Sequence, residues 1–179
     1  MDIYIHIDIH MNLEEQLAAY KQKYYDSNKK NTFFEKSQKM DCAKQVSQNF
    51  SLQQLLDNSV YIVENTNYIY IDYPLIKQYL CPDTYDAISD HILNLNSSIL
   101  QTNKYFNIRV DLKTFSVTAA QRYNDLIKRF CSLYLDATDD SKSIERIEIL
   151  NRPAIMEVLF KMFNGFISKE SRDKVVFIK

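Results

Sequence analysis

Gly165 is the only glycine in this 179-residue chain. Loops of the GxGxxG or GxxxxGK[ST] kind need several glycines, because a side chain there would hold the backbone amides away from a phosphate. Neither loop can be built here, which argues against dinucleotide-binding and P-loop folds. Turns must be made by Asn and Asp instead, as in ENTN at 64 to 67 and DATDD at 136 to 140.

Between such turns the hydrophobic period switches between two and about 3.6. The opening stretch DIYIHIDIH (Asp2 to His10) has isoleucine at every second place, so a strand there would carry Tyr4, His6, Asp8 and His10 on its other face. Two imidazoles flanking a carboxylate have the chemistry of a divalent-metal site. Alternation alone produces the same geometry, so we read an amphipathic strand and no metal. Three helices follow, each opened by a capping-box pair: Asn12 with Glu15, Thr32 with Glu35, and Ser51 with Gln54. SVYIVENTNYIYIDYP then reads as two strands around an Asn-containing turn. Pro82 starts a helix striped by Tyr85, Ile88, Ile92 and Leu95. FNIRVDL is a strand, and TAAQRYNDLIKRFCSLYL a helix capped by Thr118 with Gln121. IERIEIL is a strand, PAIMEVLFKMF a helix with Pro153 at its first position, and KVVFIK a closing strand. Strands alternating with helices of this length must cross over to lie parallel. The fold class is α/β, with a mainly parallel sheet preceded by an N-terminal strand and helices. One unit is expected, residues 1–58 packing on residues 59–179.

The bulk numbers narrow the function. A net charge of -1 offers no global attraction to nucleic acid. Cys42, Cys81 and Cys131 are odd in number and lack CxxC spacing, which fits reduced thiols in a cytoplasmic setting. No run of about 18 apolar residues spans a membrane and the N-terminus is not a signal peptide, so any membrane contact is expected to be peripheral. An enzyme is not expected: no nucleophile sits in a recognisable elbow. His91, in the Pro82 helix, is expected to make a structural hydrogen bond or face water.

PAIMEVLFKMFNGF carries more apolar surface than a surface helix needs. Only Glu157 and Lys161 are charged, while Ile155, Met156, Val158, Leu159, Phe160, Met162 and Phe163 surround the helix. It is either buried on both sides, or lines an apolar cavity with its inner face and meets lipid or a partner with its outer one. Gly165 just beyond it is a C-cap or a hinge. Arg109, on a strand, must be paired, exposed or facing a polar ligand, and Lys113 beside it is a further ligand candidate.

From about Val60 to Lys179 the chain resembles the CRAL-TRIO lipid-binding domain. FNIRVDLKTFSVT is similar to that family's "vDlkGlsls", IERIEILNRPAIMEVLFKMFNGFIS to "iyiiNaPwifnalwkllkpfl", and SRDKVVFIK to "tkeKivfl". The family's glycine after "Dlk" is Thr114 here, and its "NaP" is NRP, which places Arg152 at the start of the last long helix. The family's N-terminal helical module has no clear copy. The resemblance implies an apolar pocket floored by the sheet and closed by a gate helix, Pro153 to Asn164, with Ile155, Leu159, Phe160, Phe163 and Phe166 as its apolar lining and Gly165 as its hinge. It also implies headgroup contacts from Ser116 and Thr118, and from Ser171 and Lys174 with Arg172 close by. The function implied is binding, and transfer between membranes, of a phospholipid by a cytoplasmic, transiently membrane-associated protein with no cofactor beyond the lipid. The basic residues at 152, 172 and 174 favour phosphatidylinositol or a phosphoinositide. The alternative is a non-catalytic interaction scaffold with a collapsed pocket. The N-terminal strand would cover an exposed edge of the sheet, which leaves open a homodimer formed through it.

Overall fold

The opening isoleucines fold as helix, not strand. In the computed structural model, which describes residues 3–28, 35–131, 142–154, 156–163 and 169–178, α1 runs unbroken over Ile3–Ser27. Among the described residues no strand precedes Val60. This corrects the expected N-terminal strand, and with it the polar strand face of His6, Asp8 and His10, the edge cover and the dimer through that strand. The physical reason is cooperativity: a segment that runs into an established helix gains one hydrogen bond per residue by continuing it, whereas a strand needs a distant partner. Leu13, Leu17 and Tyr24 are buried at helical spacing. Asn12 therefore lies inside α1 rather than at its cap.

Helix α2 (Glu35–Asn49) packs beside α1, and the Tyr24 hydroxyl donates to Asp41 Oδ2 at 2.7 Å to tie the two. Thr32, the expected cap of this helix, lies outside the described residues. The Ser51 cap of α3 (Leu52–Ser59) forms as its sequence predicts, Gln54 N–H donating to Ser51 Oγ at 3.4 Å.

Strands β1 (Val60–Ile62) and β2 (Tyr68–Asp72) make an antiparallel hairpin, turned by Asn65 at φ 57°, a conformation Asn tolerates. From β2 onward the sheet is parallel: β3 (Phe106–Asp111), β4 (Ile144–Leu150) and β5 (Val175–Phe177) are added one after another in the order β1-β2-β3-β4-β5. The first crossover holds α4 (Tyr73–Ile76), a 3-10 turn at Pro82–Thr84 and α5 (Tyr85–Leu100). The second holds α6 (Val117–Arg122) and α7 (Asn124–Phe130), and the third α8 (Met156–Phe163) and α9 (Lys169–Asp173). Right-handed crossovers that always step to the same side lay their helices over one face.

That face is written in two rows. Ile69, Ile108, Ile147 and Val175 stand in register across β2 to β5, and so do Ile71, Val110, Ile149 and Phe177. The isoleucines share one buried cluster with Leu17, Val46 and Leu55 of the first three helices and with Ile88 and Ile92 of α5. His91 makes a structural hydrogen bond: its Nε2–H donates to the Val60 carbonyl at 2.8 Å and pins α5 to the edge strand.

The other face is polar. Tyr70, Arg109 and Glu148 align across β2, β3 and β4. Arg109 Nε and Nη2 donate to Glu148 Oε2 at 2.8 and 2.7 Å, and the Tyr68 hydroxyl donates to Oε1 at 3.1 Å. The Arg109 guanidinium lies 4.6 Å from the Tyr68 ring centre. Glu148 is only 4% exposed, so its carboxylate depends on these donors. Replacing Glu148 with Ala should lower the unfolding free energy by about 2 kcal/mol in urea titrations, because Arg109 loses its partner. Adding Arg109→Met should restore more than half of that loss; no recovery would place the cost in packing instead.

Candidate functional site

Parallel strands release their crossover loops at one edge of the sheet, and clefts form where those loops diverge. Here the edge lies beyond Asp72 of β2 and Asp111 of β3. Asp72 Oδ1 accepts from Leu75 N–H at 2.9 Å and so caps α4, which carries Tyr73 and, just beyond it, Lys77 and Gln78. Asp111 Oδ1 accepts from Lys113 N–H at 2.7 Å and from Asn151 Nδ2 at 2.9 Å, which turns the β3 loop and joins it to the end of β4. Ser116 Oγ then accepts from Ala119 N–H at 3.2 Å. The cap of α6 is thus Ser116, and Thr118, which the sequence pattern assigned to the cap, sits within the first turn. The expected single helix also breaks at Tyr123, which lies between α6 and α7.

Thr114 stands where the CRAL-TRIO pattern has glycine, and its φ is 67°. A β-branched residue in this region costs on the order of 1–3 kcal/mol. Its Oγ1 accepts from Lys77 Nζ at 2.6 Å, which ties the β3 loop to the end of α4.

These two loops and the N-terminal pair α1 and α2 enclose a cleft of about 580 Å³. Its inner wall is apolar and aromatic, with Ala43, Ala119, Tyr73 and Tyr123 buried, and Phe115 meets Tyr73 edge-on with ring centres 4.8 Å apart. Its polar wall is cationic: Lys21 from α1, Lys39 from α2, Lys77 after α4 and Arg122 from α6. The hydroxyls of Thr114, Ser116 and Thr118 stand beside them. None of the described lining residues is a carboxylate or a histidine. Burial first, and then the field of Lys39, holds Lys21 below the ordinary lysine range; Lys77 is lowered by burial and then by Lys21. The Lys21 ammonium donates to Gln78 Oε1. Arg122 lies 5.6 Å from the Tyr123 ring centre, and its Nε is buried with no hydrogen-bond partner. Burial pushes the Cys42 thiol up, keeping it protonated on the same wall. A smaller cleft of about 440 Å³ shares Lys21, Lys77 and Gln78 and is flanked by Glu14. The arrangement offers positive charge and many donors but no acid–base pair among its described lining.

Of the residues singled out in the sequence, Ser116 and Thr118 line this cleft. Arg109 lies on the polar sheet face, engaged by Glu148. Lys113 is exposed on the β3 loop and does not line the cleft. Ser171 is buried on α9, with Arg172 next to it, and Lys174 Nζ pairs with Glu170 at 3.1 Å. Arg152 stacks 4.5 Å from the Phe177 ring centre at the far edge of the sheet. Ile155, Gly165 and Phe166, and the side chains of Leu159, Phe160 and Phe163, lie outside the described residues. Helix α8 begins at Met156, which is buried, and presents Val158 at 47% exposure. Sequence reasoning missed Lys21, Lys39, Lys77 and Arg122, each of which reads locally as part of a solvated face. Among the described residues no metal-binding cluster forms, and no helix is long and apolar enough to cross a membrane.

No family model matches the chain, and no curated protein matches it in sequence. Among solved structures, the crystal structure of Sfh5 is similar to it with a TM-score of 0.56 at 15% identity. The match covers 92% of this chain and 62% of Sfh5. A likeness at this identity is one of fold, and it agrees with the mixed α/β architecture and mostly parallel five-stranded sheet.

The loop makes two distinguishable demands. Ser116→Ala should cost about 1 kcal/mol in urea unfolding through loss of the cap, while Thr118→Ala should change stability by a few tenths at most. Thr114→Gly should raise stability by about 1 kcal/mol by relieving the left-handed backbone; a loss instead would mean the Lys77 hydrogen bond outweighs the strain.

Proposed function

With that fold as the premise, we propose that the protein binds a phospholipid without covalent chemistry, its phosphate-bearing headgroup lodged in the cleft beyond β2 and β3. One observation carries this reading: the two hydroxyls of Ser116 and Thr118 share the cleft with Lys21, Lys39, Lys77 and Arg122 and with no described carboxylate. Ammonium and guanidinium donors backed by hydroxyls are the groups that recognise phosphate. An inositol-based headgroup suits this wall better than choline, whose own cation would face four others. The acyl chains would lie along the apolar positions of α8 and its flanks, Ile155, Leu159, Phe160, Phe163 and Phe166, with Gly165 as the hinge of a gate. The exposed Val158, between Glu157 and Lys161, suits brief contact of that helix with a bilayer. In this scheme a cytoplasmic protein loads one lipid at a membrane and releases it at another. Arg109, Lys113, Ser171, Arg172 and Lys174 take no part in the headgroup site.

Native mass spectrometry of the purified protein should show a bound phospholipid, and labelled phosphatidylinositol should move between vesicles in its presence. Thr118→Val should cut loading by about fivefold, the worth of one hydrogen bond, whereas Lys174→Ala should change it by less than about twofold. Protein that neither carries nor loads any lipid would refute the reading.

A further inference from the structure

We infer that Gln78 is the stand-in partner of Lys21: it holds the ammonium on the wall between two clefts while the site is empty, and the phosphate of a bound ligand takes its place. The inference rests on the reading above in taking the larger cleft as the phosphate site, and it adds the residue that sets how tightly that site holds its ligand.

The two clefts, about 580 and 440 Å³, have Lys21, Tyr25, Lys77 and Gln78 in common, so these four residues form the wall between them. On that wall the Lys21 ammonium donates to Gln78 Oε1. The orientation of the Gln78 amide is fixed from behind. Its Nε2–H donates to the Pro74 carbonyl at 2.7 Å, four residues back along the chain, which turns Oε1 toward Lys21. Reversing the amide would set its NH₂ group against the ammonium and lose both bonds. Gln78 is thus a prepared acceptor for a cation, and a neutral one.

Lys21 is placed to leave it. Helix α1 is held on the protein by Leu17, one turn before, and by Tyr24, three residues after; both are buried, and the Tyr24 hydroxyl donates to Asp41 of α2. The docking of the helix therefore does not depend on the Lys21 side chain, whose four-carbon stem is flexible. Burial disfavours its charge, and the groups that act on it electrostatically, Cys42 and Lys39, include no carboxylate. Ser116 and Thr118 line the larger cleft and not the smaller, so a phosphate beside those hydroxyls lies on one side of the wall. An ammonium facing phosphate adds charge–charge attraction to the hydrogen bond, which the neutral amide does not offer, and the exchange runs toward the ligand. What Gln78 contributes to the empty cleft is then subtracted from binding. Lys77 differs: its acceptor, Thr114 Oγ1 at 2.6 Å, lines the larger cleft alone, so that bond keeps Lys77 on the phosphate side.

Two probes test this on the full chain: glycerophosphoinositol, which is the headgroup without acyl chains, and phosphatidylcholine vesicles containing phosphatidylinositol. Gln78→Met nearly keeps the side-chain length and removes the acceptor, and should tighten binding of both probes about fivefold, the worth of one hydrogen bond. Gln78→Glu should weaken binding about tenfold, because its carboxylate retains Lys21 and repels phosphate, and Lys21→Met should also weaken it about tenfold. In the Lys21→Met background, Gln78→Met should change affinity less than about twofold. Urea unfolding of each ligand-free variant shows that it is folded where binding is measured; if Gln78→Met does not fold, Gln78→Glu decides, and binding by it that is unchanged or tighter overturns the inference. If Gln78→Met weakens both probes as Lys21→Met does, Gln78 positions Lys21 for the ligand, so the inference fails and the lipid reading stands; unchanged affinity has the same meaning. If glycerophosphoinositol binds with the expected variant responses and no vesicle lipid is taken up, the inference stands and the lipid reading fails. Binding of neither probe overturns both.

Discussion

Parallel pairing of β2, β3 and β4 is the constraint from which the rest follows. Parallel neighbours cannot be joined by a tight turn, so each must be reached by a crossover, and every crossover leaves from the same edge of the sheet. The in-register rows of Ile69, Ile108 and Ile147 and of Ile71, Val110 and Ile149 reward that pairing by burying one face against the helices. The same geometry brings the ends of β2 and β3 side by side. Asp72 and Asp111, one residue beyond those rows, then turn the chain outward by accepting backbone N–H groups, and the cleft opens between the two turns.

Two groups of charges show two uses of the same chemistry. On the polar sheet face Glu148 is buried and is met by Arg109 and Tyr68, so the charges are answered within the chain and contribute to holding the strands in place. At the cleft Lys21, Lys39, Lys77 and Arg122 converge with no described carboxylate on the wall. Lys21 and Lys77 are half-buried there and donate to the neutral Gln78 and Thr114, and burial disfavours their charged forms. That contrast, rather than the number of basic residues, sets the cleft apart from the ion pair on the sheet face. Thr114 belongs with the second group: a strained residue whose side chain positions Lys77.

Most of the element order was legible because burial patterns have local periods. FNIRVDL alternates and IERIEIL is rich in isoleucine, and both are strands, while the Pro82 segment repeats at helical spacing and is a helix. The isoleucines of the opening alternate just as well, yet Ile3 to His10 are helix, because the residues after them form a helix they can extend. The cap of α6 was misplaced by two residues, since Ser116 and Thr118 both suit the role and only the path of the β3 loop selects between them. Ser116 and Thr118, singled out through the CRAL-TRIO resemblance, line the cleft. Arg109 was read as paired, exposed or ligand-facing, and pairing with Glu148 is what the fold chose.

The sequence by itself determined the alternation of strands and helices, hence an α/β sheet with crossovers, and the lack of any glycine-built phosphate loop. It did so because secondary structure and turn chemistry are written in spacings of a few residues. Only the tertiary structure decided that Lys21, Lys39, Lys77 and Arg122 stand around one cleft. They belong to four segments whose docking is set by side chains elsewhere, Leu17 and Val46 in the core and Asp72 and Ser116 at the turns. No local pattern records such a meeting, because each lysine alone is indistinguishable from one that merely solvates a helix.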